Sequence, residues 1–170
     1  MLTPASGETR TRAPRAHRHN GAVTEPPPRP VRADYVAWRT VTTRWRDDDA
    51  YGHLNNATYY ELFDTAVNAH LYEATGLDIR SLPQIGVVAE TSCRYFRELG
   101  FPEPIDTGLV VDKVGRSSVV YRIGLFQGAQ DEAAAEGRFV HVYVDNTDPS
   151  RPVTPIPDDI RSALQSLLRP

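Results

Sequence analysis

Polar and ionisable residues are concentrated between Arg44 and Tyr60, where a strand-like pattern gives way to a helical one. This stretch holds consecutive aspartates at 47–49, a glycine turn, His53, and asparagines at 55 and 56. A carboxylate held at a turn can act as a nucleophile or as a general base. The free N–H groups and the positive macrodipole end at a helix start stabilise a developing negative oxygen. We therefore expect the chemistry of this protein at this junction.

The elements that flank the junction are a strand and a long helix. Residues 35–46 alternate in side-chain character, which predicts a strand. Asn55 and Asn56 are both good N-cap residues, and Gly76 is suited to the C′ position. The sequence therefore predicts a helix from about Asn56 to Thr75. Its predicted apolar arc consists of Tyr60, Phe63, Val67, Leu71 and Ala74.

Four strand-like segments follow the helix, with glycine or proline between them. They cover residues 85–96, 105–114, 117–126 and 137–145. The connections are too short for crossover helices, which favours antiparallel pairing. Apolar residues at helical spacing in residues 157–168 predict a short C-terminal helix. Periodicity alone therefore predicts an α+β fold with one long helix and an antiparallel sheet.

The first of these segments alternates in a way that assigns its side chains to two faces. One predicted face consists of Val87, Ala89, Thr91, Cys93 and Tyr95. The other consists of Val88, Glu90, Ser92, Arg94 and Phe96. Cys93 in the middle of such a face is predicted to be a small core residue.

The junction also carries a pattern that is similar to a known family signature. The pattern is Asp47-x-Asp49-x-x-Gly52-His53-x-Asn55-Asn56-x-x-Tyr59. It resembles that of the hotdog-fold acyl-CoA thioesterases, in the 4-hydroxybenzoyl-CoA thioesterase-like branch, and the resemblance extends over roughly residues 38–160. It implies a five-stranded antiparallel sheet wrapped around one long helix, with a short C-terminal helix. It also implies a homodimer or a dimer of dimers, active sites at the subunit interface, and no metal or redox cofactor.

The resemblance implies a role for each residue of the junction. Asp49 takes the place of the catalytic carboxylate, which acts on the thioester as nucleophile or as base for water. The backbone amide of Asn56 takes the place of the donor to the thioester carbonyl, and Asn56 is also predicted to cap the helix. His53 or Tyr51 completes the pocket, although Tyr51 stands where His-dependent relatives have an asparagine. Asp64 on the helix is the reserve carboxylate.

The other two aspartates receive structural predictions, and one turn is predicted to bind CoA. Asp47 is expected to order the junction turn, and Asp48 is expected to point elsewhere. Family members often hold nucleotide phosphates with basic residues near the start of the fourth strand. Here that position has Arg116-Ser117-Ser118 after Lys113, and Arg94 or Arg97 is predicted to add to the cradle.

Three other functions compete with thioester hydrolysis. A hotdog enoyl-CoA hydratase uses an Asp and a His separated by a proline-bearing segment, whereas Ala-Tyr-Gly separates Asp49 from His53 here. A non-catalytic acyl-CoA-binding regulator would need a DNA-binding segment, and the proline-rich residues 1–34 have no helix-turn-helix pattern. A calcium loop is excluded because Tyr51 and Thr58 occupy ligand positions of that motif.

Residues 1–34 differ in composition from the rest of the chain. Six of the fourteen prolines and six arginines lie before Tyr35, with few large apolar residues. Such a segment cannot bury enough surface to offset its ordering entropy, although this composition is also found in organelle transit peptides. We predict a disordered leader over residues 1–34, a hotdog thioesterase domain over residues 35–170, and no loss of stability or activity on removing residues 1–33.

Charge, cysteine content and hydropathy restrict the partners and the cellular setting that we expect for this protein. Beyond residue 32 the chain has 13 basic and 20 acidic residues, a net charge near −7 that disfavours nucleic-acid binding. Cys93 is the single cysteine, which excludes an intramolecular disulfide and fits a cytoplasmic setting. No apolar run reaches the ~20 residues of a membrane span.

Overall fold

The structure is a computed structural model that describes residues 28–169. The chain forms, in order, β1 (Ala37–Val41), α1 (Asn56–Thr75), β2 (Gln84–Tyr95), β3 (Ile105–Val114), β4 (Ser118–Gln127), β5 (Ala135–Asp145) and α2 (Asp158–Gln165). The five strands form one antiparallel sheet in the order β1-β3-β4-β5-β2. The predicted fold class is confirmed, with α1 lying on one face of the sheet.

The sequence determines both ends of α1 in the way that was predicted. The side chain of Asn55 accepts a hydrogen bond from the Ala57 N–H at 2.9 Å, so Asn55 is the N-cap. Asn56 is the first helical residue, and its predicted role as a side-chain cap is wrong. The helix ends at Gly76, whose φ of 67° is left-handed and whose N–H donates to Tyr72.

The core lies between α1 and the sheet. The helix buries Tyr59, Leu62, Phe63, Ala66, Val67 and Leu71. This arc is rotated from the predicted one, because Tyr60 is only half-buried and Ala74 is exposed. Gly137 on β5 allows close packing, since a Cβ there would lie 2.5 Å from Phe63 Cε2.

The opposite face of the sheet carries a second, smaller apolar cluster around a buried carboxylate. Tyr35 packs edge-on against Phe126, and its hydroxyl donates to Glu136 at 3.1 Å. Glu136 also accepts hydrogen bonds from Arg94 and Arg122, so its charge is matched where it is buried. Burial and the neighbouring Glu136 charge raise the pKa of Tyr35, which therefore stays protonated.

Residues 30–34, which lie before the predicted domain boundary at Tyr35, pack against the sheet and the loop that precedes β5. Val31 forms a β-bridge with Glu132, and the Pro30 carbonyl accepts from the Ala133 N–H at 2.8 Å. Arg32 pairs with Asp106 at 3.0 Å. These residues cover the second apolar cluster, which composition alone does not reveal. The prediction for residues 1–27 lies outside the described residues.

Two strands differ locally from their predicted form. β1 ends at Val41 instead of Arg46 because the chain turns at residues 45–47. There the Asp47 carboxylate accepts from the Arg44 N–H at 2.7 Å and closes a 3₁₀ turn. In β2, a register shift between Val88 and Glu90 interrupts the predicted alternation. Val88 therefore shares a face with Thr91 and not with Glu90.

Removing residues 29–34 should destabilise the protein, contrary to the dispensability predicted for residues 1–33. A chain that begins at Tyr35 loses the Arg32 ion pair and the Arg32 guanidinium 4.9 Å from the Phe126 ring. We expect its free energy of unfolding to fall by about 1–2 kcal/mol relative to a chain that begins at Arg29. Thermal unfolding of both chains measures this, and equal midpoints would contradict it.

Asp47→Asn should destabilise the protein in a pH-dependent way. Burial alone would raise the pKa of Asp47, but hydrogen bonds from Arg44 outweigh it and hold the pKa below its ordinary value. A carboxylate with a lowered folded-state pKa contributes its full stability above the unfolded pKa of about 4. That contribution is lost as the pH falls through the folded-state value.

We therefore expect Asp47→Asn to cost about 1–3 kcal/mol near neutral pH and progressively less below about pH 4. Urea unfolding at several pH values measures the difference. Asp131→Asn is the control, because Asp131 is exposed and its carboxylate accepts no hydrogen bond within residues 28–169. A difference that is constant with pH would assign the loss to packing instead.

Candidate active site

An open groove of about 740 Å³ lies at the N-terminal end of α1. The junction forms one wall, and the end of β2 with the residues after it forms the other. The groove is lined by Asp49, His53, Leu54, Asn56, Tyr59, Tyr95, Phe96, Arg97 and Glu98. Three of the four predicted catalytic residues, Asp49, His53 and Asn56, therefore line one groove.

Asp49 presents a carboxylate with one anchored oxygen. Oδ1 accepts from the Tyr51 N–H at 2.8 Å and, at 3.4 Å, from the His53 N–H. The Asp49 N–H donates to the His53 carbonyl at 2.8 Å, which closes the turn around Gly52. Oδ2 has no hydrogen-bond partner among residues 28–169. The carboxylate is thus oriented through Oδ1, and Oδ2 is left without a partner in the described chain.

The neighbouring aspartates have structural surroundings. Asp47 is buried, and its carboxylate bonds to Arg44. Asp48 accepts from the Phe101 N–H at 3.2 Å, so its carboxylate faces the loop after β2. Of residues 47–49, only Asp49 lines the groove.

Asn56 contributes an unpaired backbone donor at the helix start. The capping side chain of Asn55 bonds to Ala57, and the Asn55 carbonyl accepts from the Thr58 N–H at 2.9 Å. Neither bond involves the Asn56 N–H, and nothing else in the described chain accepts from it. This donor stands at the positive end of the α1 dipole, where a developing oxyanion is stabilised.

His53 and Tyr51 occupy different positions relative to the groove. His53 Nε2 lies 3.3 Å from Glu98 Oε2, and both side chains are substantially exposed. Tyr51 is 85% exposed and does not line the groove within its own chain. The structure therefore brings His53 to the site and leaves Tyr51 at the outer tip of the turn.

Tyr95 lines the groove, although the sequence pattern did not assign it to the site. Its ring packs edge-on against Tyr59 at 5.0 Å between centroids. Burial raises the pKa of Tyr59 to about 12, so the Tyr59 hydroxyl stays protonated at neutral pH. Tyr95 lies in the predicted strand face with Cys93, but only the sheet register shows that this face meets the helix start.

The predicted CoA cradle does not meet the groove within one chain. Residues 115–117 form the β3–β4 turn, and Ser118 begins β4. The Arg116 carbonyl accepts from the Ile156 N–H at the end of the sheet opposite to the groove. Arg94 lies on the outer sheet face, paired with Glu136 and 5.4 Å from the Phe96 ring. Arg97 is the predicted cation that does line the groove.

Asp64 is exposed on α1 and is absent from the groove lining of its own chain. It lies two turns along the helix from Asn56, beside Asn68 in a separate surface depression. Its charge acts on His141, a buried residue of β5. The structure therefore separates the reserve carboxylate from Asp49 within one subunit.

Residues 28–169 contain neither a candidate metal site nor a helix that could span a membrane. This region contains no group of three or more His, Cys, Asp or Glu side chains arranged to hold a metal ion. None of its helices is long and apolar enough to cross a bilayer.

Comparison with solved structures places the chain among thioesterases in fold. The PA5185 protein of Pseudomonas aeruginosa is 48% identical with a TM-score of 0.79, covering 83% of this chain and 97% of its own. The 1,4-dihydroxy-2-naphthoyl-CoA thioesterase Slr0204 of Synechocystis is 13% identical with a TM-score of 0.69, covering 76% and 96%. The BH1999 gentisyl-coenzyme A thioesterase is 20% identical with a TM-score of 0.66, covering 75% and 99%.

Sequence comparison identifies the family directly. No curated protein matches the chain. The family described as the thioesterase-like superfamily matches residues 43–164, which contain the whole groove and most of the sheet. The chain therefore belongs to the thioesterase-like superfamily and has its hotdog fold.

Proposed function

We propose that the protein hydrolyses an acyl-CoA thioester to a free carboxylic acid and CoA. The observation that carries the proposal is that Asp49 and Asn56 line the same groove, and that Asp49 Oδ2 and the Asn56 N–H have no hydrogen-bond partners in the described chain. A thioester carbonyl that accepts from the Asn56 N–H would have its carbon polarised toward attack. The names of the Slr0204 and BH1999 proteins support a CoA thioester as the substrate class.

Either of two routes completes the reaction. Asp49 can remove a proton from water, whose oxygen adds to the carbonyl carbon as the carbon–sulfur bond breaks. Alternatively, Asp49 Oδ2 adds to the carbon and forms an anhydride, which water then cleaves. In both routes one water is consumed, and the thiolate leaves as CoA and takes a proton. Glu98 is positioned to stabilise a protonated His53, which could supply that proton.

The functional unit that we propose is a homodimer or a dimer of dimers joined through β2. This strand has twelve residues at one edge of the sheet, and most of them are exposed. Within residues 28–169 no segment pairs with its outer edge. An exposed edge of this length favours pairing with another strand, and a second copy supplies an equivalent edge.

Asp49→Asn should abolish turnover and leave folding and substrate binding intact. Asparagine keeps the oxygen that accepts from the Tyr51 N–H but cannot act as nucleophile or base. We expect kcat to fall by at least ~100-fold with little change in KM, because the substitution removes an interaction that the Asp49 carboxylate makes only in the transition state. Steady-state hydrolysis of short, long and aromatic acyl-CoAs, followed with a thiol reagent, measures this.

Two matched variants serve as controls for Asp49→Asn. Asp48→Asn keeps an acceptor for the Phe101 N–H and should lose little activity. Asp64→Asn alters an exposed helix carboxylate and should leave kcat within a few-fold of wild type. If Asp49→Asn has near-normal turnover and Asp64→Asn has none, the catalytic carboxylate is Asp64 on α1. That result would overturn the assignment of Asp49.

The proposed assembly predicts a dimer or tetramer in solution that a charge on β2 disrupts. Thr91 is exposed near the middle of this strand, where a two-fold axis would bring both copies together. Thr91→Lys should shift the mass measured by light scattering toward the monomer through like-charge repulsion. Gln130→Lys, on an exposed turn, is the control. A stable, fully active wild-type monomer would contradict the assembly.

A further inference from the structure

The loop between β2 and β3, residues 96–104, forms part of one wall of the groove and bonds to the other wall. Its first three residues line the groove, opposite Asp49 and His53. The loop then bonds to the turn that carries those two residues, because the Leu99 carbonyl accepts from the Leu54 N–H at 2.7 Å. This loop therefore links the two walls to each other.

Two further contacts between the loop and the turn lie next to Asp49. The Phe101 N–H donates to the Asp48 carboxylate at 3.2 Å. A Cβ placed on Gly100 would lie 3.5 Å from the Gly52 carbonyl oxygen, so Gly100 lies directly against the turn. Asp48 precedes Asp49, and the Asp49 carbonyl accepts from the Gly52 N–H at 3.1 Å. The loop thus touches the residues that hold Asp49 in place.

Gln127 fastens this loop to the sheet. It is the last residue of β4, and its polar side chain is buried. Its amide oxygen accepts from the Gly100 N–H at 3.3 Å, and its amide nitrogen donates to the Gly100 carbonyl at 2.6 Å. The same nitrogen donates to the Glu103 carbonyl at 2.7 Å. Both donors of the amide, and one acceptor position of its oxygen, are therefore bonded to the loop.

An amide side chain of this length suits the site because it offers two donors and an acceptor. An ionised glutamate would have no donor for the two carbonyl oxygens, and asparagine is one methylene shorter. The pairing with Gly100 resembles the two-bond pairing of residues on neighbouring antiparallel strands, although Gly100 lies outside the strands. The backbone carbonyl of Gln127 also accepts from the guanidinium of Arg97, a groove residue, at 3.3 Å.

We propose that Gln127 is a positioning residue for hydrolysis, which acts through Gly100 and the loop on the turn that carries Asp49. Its hydrogen bonds hold the loop where His53 Nε2 lies 3.3 Å from Glu98 Oε2, between the two walls. Gln127 itself is not among the groove-lining residues of its own chain. The inference rests on the proposed function, because positioning has a kinetic consequence only if Asp49 acts on the thioester.

The first experiment measures that kinetic consequence in Gln127→Met, because methionine keeps the length of the side chain and removes the amide. We expect kcat for acyl-CoA hydrolysis to fall by at least ~10-fold while KM stays within about threefold of wild type, because a small displacement of reacting groups mainly slows the chemical step.

Thr107→Val is the matched control for Gln127→Met. Thr107 is also buried, and its hydroxyl donates to the Arg39 carbonyl at 3.1 Å, outside the loop and the turn. The control also removes a buried side-chain bond to a backbone carbonyl, so it should lower stability while kcat stays within about twofold of wild type. Equal losses of kcat in the two variants would overturn the inference, because they would assign the effect of Gln127 to stability alone.

The second experiment follows amide hydrogen exchange and needs no turnover. In Gln127→Met the amides of Gly100 and Leu54 should exchange at least ~10-fold faster than in wild type, and in Thr107→Val they should keep the wild-type rate. The Leu54 N–H bonds to Leu99 and not to Gln127, so its faster exchange would report an effect transmitted through the loop.

The exchange result also separates this inference from the proposed function. If wild type hydrolyses no thioester, the proposed function fails, and hydrogen exchange alone decides whether Gln127 holds the turn. An unchanged exchange rate at Leu54 in Gln127→Met would overturn the inference whatever the enzyme activity.

If Gln127→Met does not fold, exchange in wild type tests the same coupling. The Gly100 and Leu54 amides should open together, with one common dependence on urea, at concentrations below those that unfold the whole chain. Separate openings of the two amides would show that the loop and the turn move independently, which would overturn the inference.

Discussion

The turn closed by the Asp47 carboxylate is the constraint on which the position of the groove depends. The Asp47 side chain bonds to Arg44, three residues after the end of β1, and the Asp47 carbonyl accepts from the Asn55 N–H at 2.8 Å. One residue therefore links the segment that follows β1 to the N-cap of α1. A second backbone bond, from the Leu54 N–H to the Leu99 carbonyl at 2.7 Å, ties the same segment to the loop after β2. Asp49 lies between these anchors, and Asn56 follows them directly.

Because of this constraint, some of the neighbouring polar groups bond within the turn and others are left without a partner. Asp47 and Asp48 satisfy backbone donors, and Asn55 satisfies the helix start, so each supports the turn. The groups left unpaired are Asp49 Oδ2 and the Asn56 N–H, within the part of the chain that the structure describes. In the proposed mechanism these two groups are the reactive oxygen and the oxyanion donor, and the surrounding hydrogen bonds orient them in advance, as electrostatic preorganisation requires.

The sheet register sets a second constraint, which concerns the two ends of β2. The register places the Tyr95 end of β2 beside the helix start and the Gln84 end on the far side of the buried His141. Aromatic packing around Phe139 fills the space between these two regions within one chain. In the proposed dimer, antiparallel pairing of two β2 strands would bring the Tyr95 end of one copy beside the Gln84 end of the other.

The sequence by itself determined the features that depend on local physical chemistry. The limits of α1 follow from Asn55 and from the left-handed conformation at Gly76, and the strand series follows from alternation with short connections. The junction motif was sufficient to single out Asp49, His53 and Asn56. Only the tertiary structure decided that β1 stops at Val41, that residues 30–34 pack on the sheet, and that a bulge shifts β2. It also decided that residues 116–118 lie far from the groove of their own chain and that His141 Nε2 is buried without a partner among residues 28–169. These outcomes depend on register and on contacts between residues distant in sequence, which side-chain periodicity along one segment does not encode.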